Sequence, residues 1–154
     1  MQRLLPYFSF KGRTNRQPFW ITALTIAVFY FLGALVFGVM ARVPIVGILA
    51  GLILIVLVIA ALVATLANAA RRLHDRGKSA WWLLLFQGVP VIFGLLGAAA
   101  AAGGAGEGAS GFFALLSLPI SIWAFVELGC LKGTGGPNKY GPDPLAPAME
   151  EVFA

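Results

Sequence analysis

The feature that most constrains this chain is a set of four apolar stretches, at residues 19–41, 44–70, 81–102 and 112–131. The first three hold no charged side chain, and the fourth holds only Glu127. Each is close to the roughly 20 residues that a helix rising 1.5 Å per residue needs to cross a bilayer. The whole chain is 60% apolar and 11% charged over 154 residues. A soluble domain is nearer half apolar and a quarter charged, so this much apolar surface needs lipid around it. The expectation is an all-α membrane protein, one polytopic domain of four transmembrane helices covering residues 1–154. The first stretch exceeds the roughly 7–15 residues of a signal-peptide core, so it is expected to stay as a spanning helix.

The cations set the orientation. Arg3, Lys11, Arg13 and Arg16 precede the first stretch; Arg71, Arg72, Arg76 and Lys78 lie between the second and third; Lys132 and Lys139 follow the fourth. Only Arg42 lies elsewhere among the eleven Lys and Arg residues. Alternate connections therefore carry the positive charge, which predicts both termini in the cytoplasm. Cations gathered at the ends of apolar runs also argue against a nucleic-acid partner, which needs a basic soluble face. One Cys and one His supply neither a disulfide nor a zinc site. No cofactor is expected.

Local signals refine the picture. Arg42 and Val43 leave only a tight turn before Pro44, so the first two helices form an antiparallel hairpin. Residues 103–111, rich in Gly, Ala and Ser, read as a flexible external loop. Helix 2 is expected to run past the membrane to Gly77, with Arg71 and Asp75 pairing four apart. Thr14 or Asn15 suits the N-cap of helix 1, and Ser79 that of helix 3. Pro90 and Pro119 should bend their helices. Gln87, Ser117 and Ser121 can bond across helices, while Gly47/Gly51 and Gly94/Ala98 offer stripes for close packing.

Three segments carry more than hydropathy. Residues 8–16 alternate Phe8 and Phe10 with Lys11, Arg13 and Arg16, which suits a layer of anionic headgroups. Residues 71–82 end in Gly77-Lys78-Ser79, like a phosphate-binding P-loop, but Arg72 stands where that pattern needs Gly. His74 and Asp75 are adjacent and so do not face each other as a catalytic dyad. Trp81 and Trp82 suit an interfacial belt. Residues 133–144 intersperse Asn138, Tyr140 and Asp143 with glycines and prolines, which excludes a helix and suggests a folded loop.

These three motifs together resemble the bacterial inner-membrane family known as domain of unknown function 805, of the YhaH type. The resemblance rests on Phe8-x-Phe10-x-Gly12-Arg13-x-x-Arg16 with Phe19-Trp20, on Arg71-Arg72-Leu73-His74-Asp75-x-Gly77-Lys78-Ser79 with Trp81-Trp82, and on the closing segment from Gly133 to Pro144. Ala80 stands where relatives often carry Gly. The resemblance implies a multi-span protein of the bacterial inner membrane and carries over no catalytic or binding residue.

The functional expectation is a non-enzymatic partner or regulator in a membrane assembly, the alternative being a channel or transporter subunit. The three segments should meet as one cytoplasmic cap, with Asp143 paired to Arg13, Arg16 or Arg72. Candidates for a ligand or lipid headgroup are Arg13, Arg16, Arg72, His74, Asp75, Lys78, Asn138, Tyr140 and Asp143. Glu127, the intramembrane candidate, should pair with Arg16, Arg71, Arg72 or Lys132. Expected partners are the lipid bilayer with its anionic headgroups, a second copy, or another membrane protein.

Overall fold

The structure, a computed structural model, describes residues 5–146; Arg3 lies outside the described residues. Among the described residues, four helices are long and apolar enough to cross a membrane. After a short 3₁₀ turn, Leu5–Phe8, come α1 (Arg16–Met40) and α2 (Pro44–Asp75). Then follow α3 (Val89–Ala100), entered through a π turn at Leu84–Gly88, and α4 (Glu107–Phe125), which closes in a π turn at Val126–Cys130. Among the described residues there is no strand.

The cap signals act as the residue chemistry requires. Asn15 is the N-cap of α1, its side chain accepting from the Gln17 N–H at 3.1 Å. Pro44 occupies the first turn of α2, where its missing N–H costs no hydrogen bond. At the far end of α2, Gly77 adopts φ +73°. Its N–H donates to His74 O at 3.0 Å and that of Lys78 donates to Leu73 O at 2.8 Å. That reciprocal pair is a Schellman motif, and it stops the helix. Ser79 does not cap α3 through its hydroxyl; its main-chain carbonyl accepts from Trp82 N instead.

The α3–α4 connection is tighter than the loop expected at 103–111. Gly104 and Gly106 both take left-handed φ values, +94° and +74°. Only glycine enters this region without strain, so the chain reverses within a few residues. Pro90 falls in the first turn of α3, just after the π turn, whose wider winding accommodates the missing donor. Ser117 and Ser121 bond back to Ala114 O and Ser117 O within α4 rather than across helices. Gln87 is exposed. Gly47 and Gly51 do lie against α1, near Ala41 and Phe37, but Gly94 faces open space. It is Gly97 that meets α4, at Ser110 and Phe113.

The helices pair as two hairpins, α1 on α2 and α3 on α4, and the hairpins meet at one end. There, Ala69 and Leu73 of α2 pack with Phe86, Ala124 and Leu128. Farther along, from residue 23 of α1 to its end and from the start of α2 to residue 63, no side chain is buried. The protein core therefore sits at the end that carries the three motif segments. The rest of α1 and α2 presents apolar surface outward, as lipid-facing helices do.

Candidate functional site: a polar cap locked by buried arginines

The cap begins with an unmet need. The last carbonyls of a helix have no partner within it. At the end of α4 these are Leu128, Gly129, Cys130 and Leu131. Arg72 donates through Nε to Leu128 O at 2.8 Å and through Nη2 to Leu131 O. The Trp20 indole donates to Gly129 O at 3.2 Å, and Arg16 to Cys130 O at 3.1 Å. Four successive carbonyls are thus closed by side chains from α1 and α2. Two of those side chains are cations, which also suits the negative end of the helix dipole.

Asp75 organises the opposite side. Its Oδ2 accepts from Arg72 Nη1, and its Oδ1 accepts from Arg13 Nε at 3.1 Å, with Arg13 Nη2 3.0 Å away. The three side chains are 0–3% exposed. Two cations around one carboxylate leave a surplus of positive charge, which carbonyl dipoles absorb. Arg13 donates to Gly136 O at 2.7 Å and Thr134 O at 2.6 Å, and Arg72 to Thr14 O at 3.5 Å. Charge-assisted bonds of this kind are about twice as strong as neutral ones. The 133–144 segment supplies such acceptors because its glycines and prolines keep the carbonyls out of regular structure.

The same segment is tied to the end of α2. Thr134 donates through both N–H, at 2.8 Å, and Oγ1, at 3.0 Å, to Asp75 O. Asn138 Nδ2 donates to His74 O at 3.0 Å. Tyr140 stacks on His74 with ring centroids 3.9 Å apart and planes 9° from parallel. At the ring edge His74 Nδ1 meets Gly12 O at 3.2 Å. Thr14 N–H reaches Arg71 O at 3.3 Å. The three motif segments therefore form one folded unit.

Several expected pairings are different. Asp143 does not meet an arginine: its carboxylate accepts from the N–H groups of Leu145 at 2.9 Å and Gly136 at 2.8 Å, folding its own loop. Those bonds, Leu145 first, hold its carboxyl below the ordinary carboxylate value. Asp75 outcompetes it for Arg13 and Arg72 because it lies between them, one turn from Arg72. Asp75 likewise pairs with Arg72 rather than Arg71, whose Nε turns back to Ala67 O at 3.4 Å. Arg72 and Asp75, named as ligand candidates, are enclosed by these bonds.

Glu127 is paired, but with neither Arg16, Arg71, Arg72 nor Lys132. Its Oε1 accepts from Arg76 Nε at 2.9 Å and lies 3.1 Å from Lys78 Nζ. Lys78 Nζ also stands 4.6 Å from the Trp82 ring and 5.9 Å from that of Trp123, within the attractive range of an aromatic face. Lys78 is therefore a clasp between the α2–α3 connection and α4. Trp82 belongs to this cluster, while Trp81 is exposed. Arg76, Thr134, Gly133 and Trp20 carry much of the geometry, although none of them was among the candidate site residues read from the sequence. For Gly133 the demand is steric: a Cβ there would run into the Asp75 carboxylate.

Among the described residues no cluster of His, Cys, Asp and Glu has the makings of a metal site. Among the described residues, four spanning-length helices with their buried charged groups gathered in one cap define a multi-pass membrane protein of the bacterial inner membrane, a class its named relatives share. The chain belongs to the family described as Protein of unknown function (DUF805), which matches residues 7–142. It is 35% identical to the Uncharacterized protein YiiR of Escherichia coli K12 over 136 residues, covering 88% of this chain and 86% of that one. It is 32% identical to the Inner membrane protein YhaI of the same strain, covering 90% and 87%. The Inner membrane protein YhaH is 28% identical, covering 90% and 88%. No solved structure matches.

Proposed function

We propose that this protein is a non-enzymatic partner or regulator in an inner-membrane assembly, offering its cap as a rigid docking face. One observation carries the reading: the buried ionisable groups of the cap are committed to one another and to main-chain carbonyls. Asp75 uses both carboxylate oxygens on arginines, and Arg72 spreads its guanidinium over Asp75 and three carbonyls. Glu127 is closed by Arg76 and Lys78. Groups spent in this way stabilise a surface; none is left poised to move a proton.

The charge asymmetry supports a cytoplasmic position for the cap, with both termini inside. Around the locked centre, Lys11, Arg16, Lys132 and Lys139 are exposed, beside the exposed rings of Tyr7, Phe8 and Phe10. This basic, aromatic rim suits an acidic face on a second membrane protein. The test is purification from native membranes with identification of what comes along. A stoichiometric membrane protein, lost when Lys11, Lys132 and Lys139 are changed to Glu, is the expected result. Ion flux through the purified protein alone in liposomes would replace this reading with a channel or transporter subunit. Turnover of lipid headgroups would replace it with an enzyme.

A further inference from the structure

The α1–α2 hairpin encloses an apolar groove of about 580 Å³, within the roughly 300–1,000 Å³ of ligand pockets. Its α1 wall runs from Thr25 to Gly33 and its α2 wall from Leu54 to Ala64. Ten residues of helix cover about 15 Å, half of a hydrocarbon core about 30 Å thick. The groove is therefore one leaflet deep, the reach of a single acyl chain. Tyr7 and Phe8 also line it, so one end is bounded by the turn that precedes α1 on the cap side.

Arg71 lies past that end, about 10 Å along α2 from Ala64, the last α2 residue of the lining. It lies on the same α2 stripe as Ala67, Ala64 and Ala60, at helical steps of three and four. Its Nε bond to Ala67 O draws the side chain back toward the groove. The 3₁₀ turn that carries Tyr7 packs against α2. Arg13, Arg72, Arg76 and Lys78 all pair with carboxylates. Among the described residues, no carboxylate pairs with Arg71. A half-buried guanidinium without an acid, past the polar end of a leaflet-deep apolar slot, is complementary to a phosphodiester carrying a fatty chain.

We propose that this groove binds one anionic phospholipid, with an acyl chain between α1 and α2 and its phosphate on Arg71 beside the Tyr7 hydroxyl. The assignment is independent of which protein, if any, the cap contacts. It differs from general attraction of the basic rim to a charged membrane, because it requires one lipid, one cation and a fitted chain.

The test uses the full-length protein, delipidated in a zwitterionic detergent and titrated with phosphatidylglycerol or phosphatidylcholine, with bound lipid counted by native mass spectrometry. Expected is one retained phosphatidylglycerol, held in clear preference to phosphatidylcholine. Arg71→Gln should cut that preference by about five- to tenfold, while Arg71→Lys keeps most of it. Ala61→Phe, which fills the groove from α2, should displace both lipids. Lys132→Gln, which removes a rim cation remote from the groove, should leave the retained lipid in place. Circular dichroism and thermal unfolding establish that each variant is folded. Should Arg71→Gln fail to fold, the Ala61→Phe and Lys132→Gln results alone decide. Equal retention of the two lipids, or a preference governed by Lys132 rather than Arg71, would overturn the assignment.

Discussion

Replacing Asp75 by Asn keeps the shape of the side chain and removes the charge that holds the cap together. Arg13 and Arg72 are then left at 2% and 0% side-chain exposure without a counter-ion. Removing one member of a buried ion pair costs about 3–5 kcal/mol, chiefly because the remaining charge stays desolvated. Here two cations lose the same partner, so the upper part of that range applies, although the carbonyls around both arginines soften the loss. The effect is local, because the apolar faces of the spans do not depend on Asp75. The cap should open while the helices remain. With opening fast relative to cleavage, proteolysis follows the open population. Trypsin cleavage at Lys132 and Lys139 in bicelles should then accelerate by a factor of a few hundred to a few thousand, at 1.4 kcal/mol per tenfold. Helical circular dichroism should stay constant. Restoring an apolar pocket with Arg13→Met in the Asp75→Asn background should recover part of the loss, because one stranded cation is gone; the two changes should be non-additive. Cleavage within threefold of the parent chain would refute the claim that this carboxylate locks the cap.

Further outcomes are specific. Gly133→Ala should mimic Asp75→Asn in the same proteolysis assay, because the new methyl has only the Asp75 carboxylate to meet; unchanged protection would show that the loop has room to shift. Glu127→Gln should destabilise by about 1.5–3 kcal/mol in chemical unfolding. This is less than for Asp75, since its partners Arg76 and Lys78 are 24% and 28% exposed and keep access to water; a larger loss than that of Asp75→Asn would reverse the ranking. In a chain freed of Cys130, a thiol reagent that cannot cross the bilayer should label a cysteine at position 110 from outside, and cysteines at 78 and 139 only from inside; external labelling at 139 would rule out the orientation. Asp143 is a group whose folded value is depressed, so its contribution is present above the ordinary value of 3.8 and is lost as pH falls below it through the folded value. The turn it closes should hold its protection from proteolysis near neutral pH and loosen only in that acid range. Asp143→Ala should abolish this dependence while leaving the Asp75 lock intact; a loosening near pH 6 would assign the turn to another group.

Hydropathy determines the spans, because a bilayer imposes one length and one polarity on whatever crosses it. The positions of the four spanning helices, the tight hairpin at Pro44, the Gly77 stop and the Asn15 cap could all be read along the chain, since each depends on neighbours in sequence. The three polar segments also declared themselves, by placing charges and turn residues where a lipid-facing helix has neither. Their partners did not. Sequence spacing allows Asp75 to reach Arg71 or Arg72, and it allows Asp143 to reach any of several arginines. Only the packed structure decides, by bringing Arg13 across from the N-terminal segment and turning Asp143 onto its own loop. The same holds for Glu127, which meets Arg76 and Lys78 because the α2–α3 connection folds over the end of α4. The bare carbonyls there, Leu128 to Leu131, are a demand that any helix end makes. Which side chains answer it depends on which helices converge, and that is a property of the tertiary fold alone.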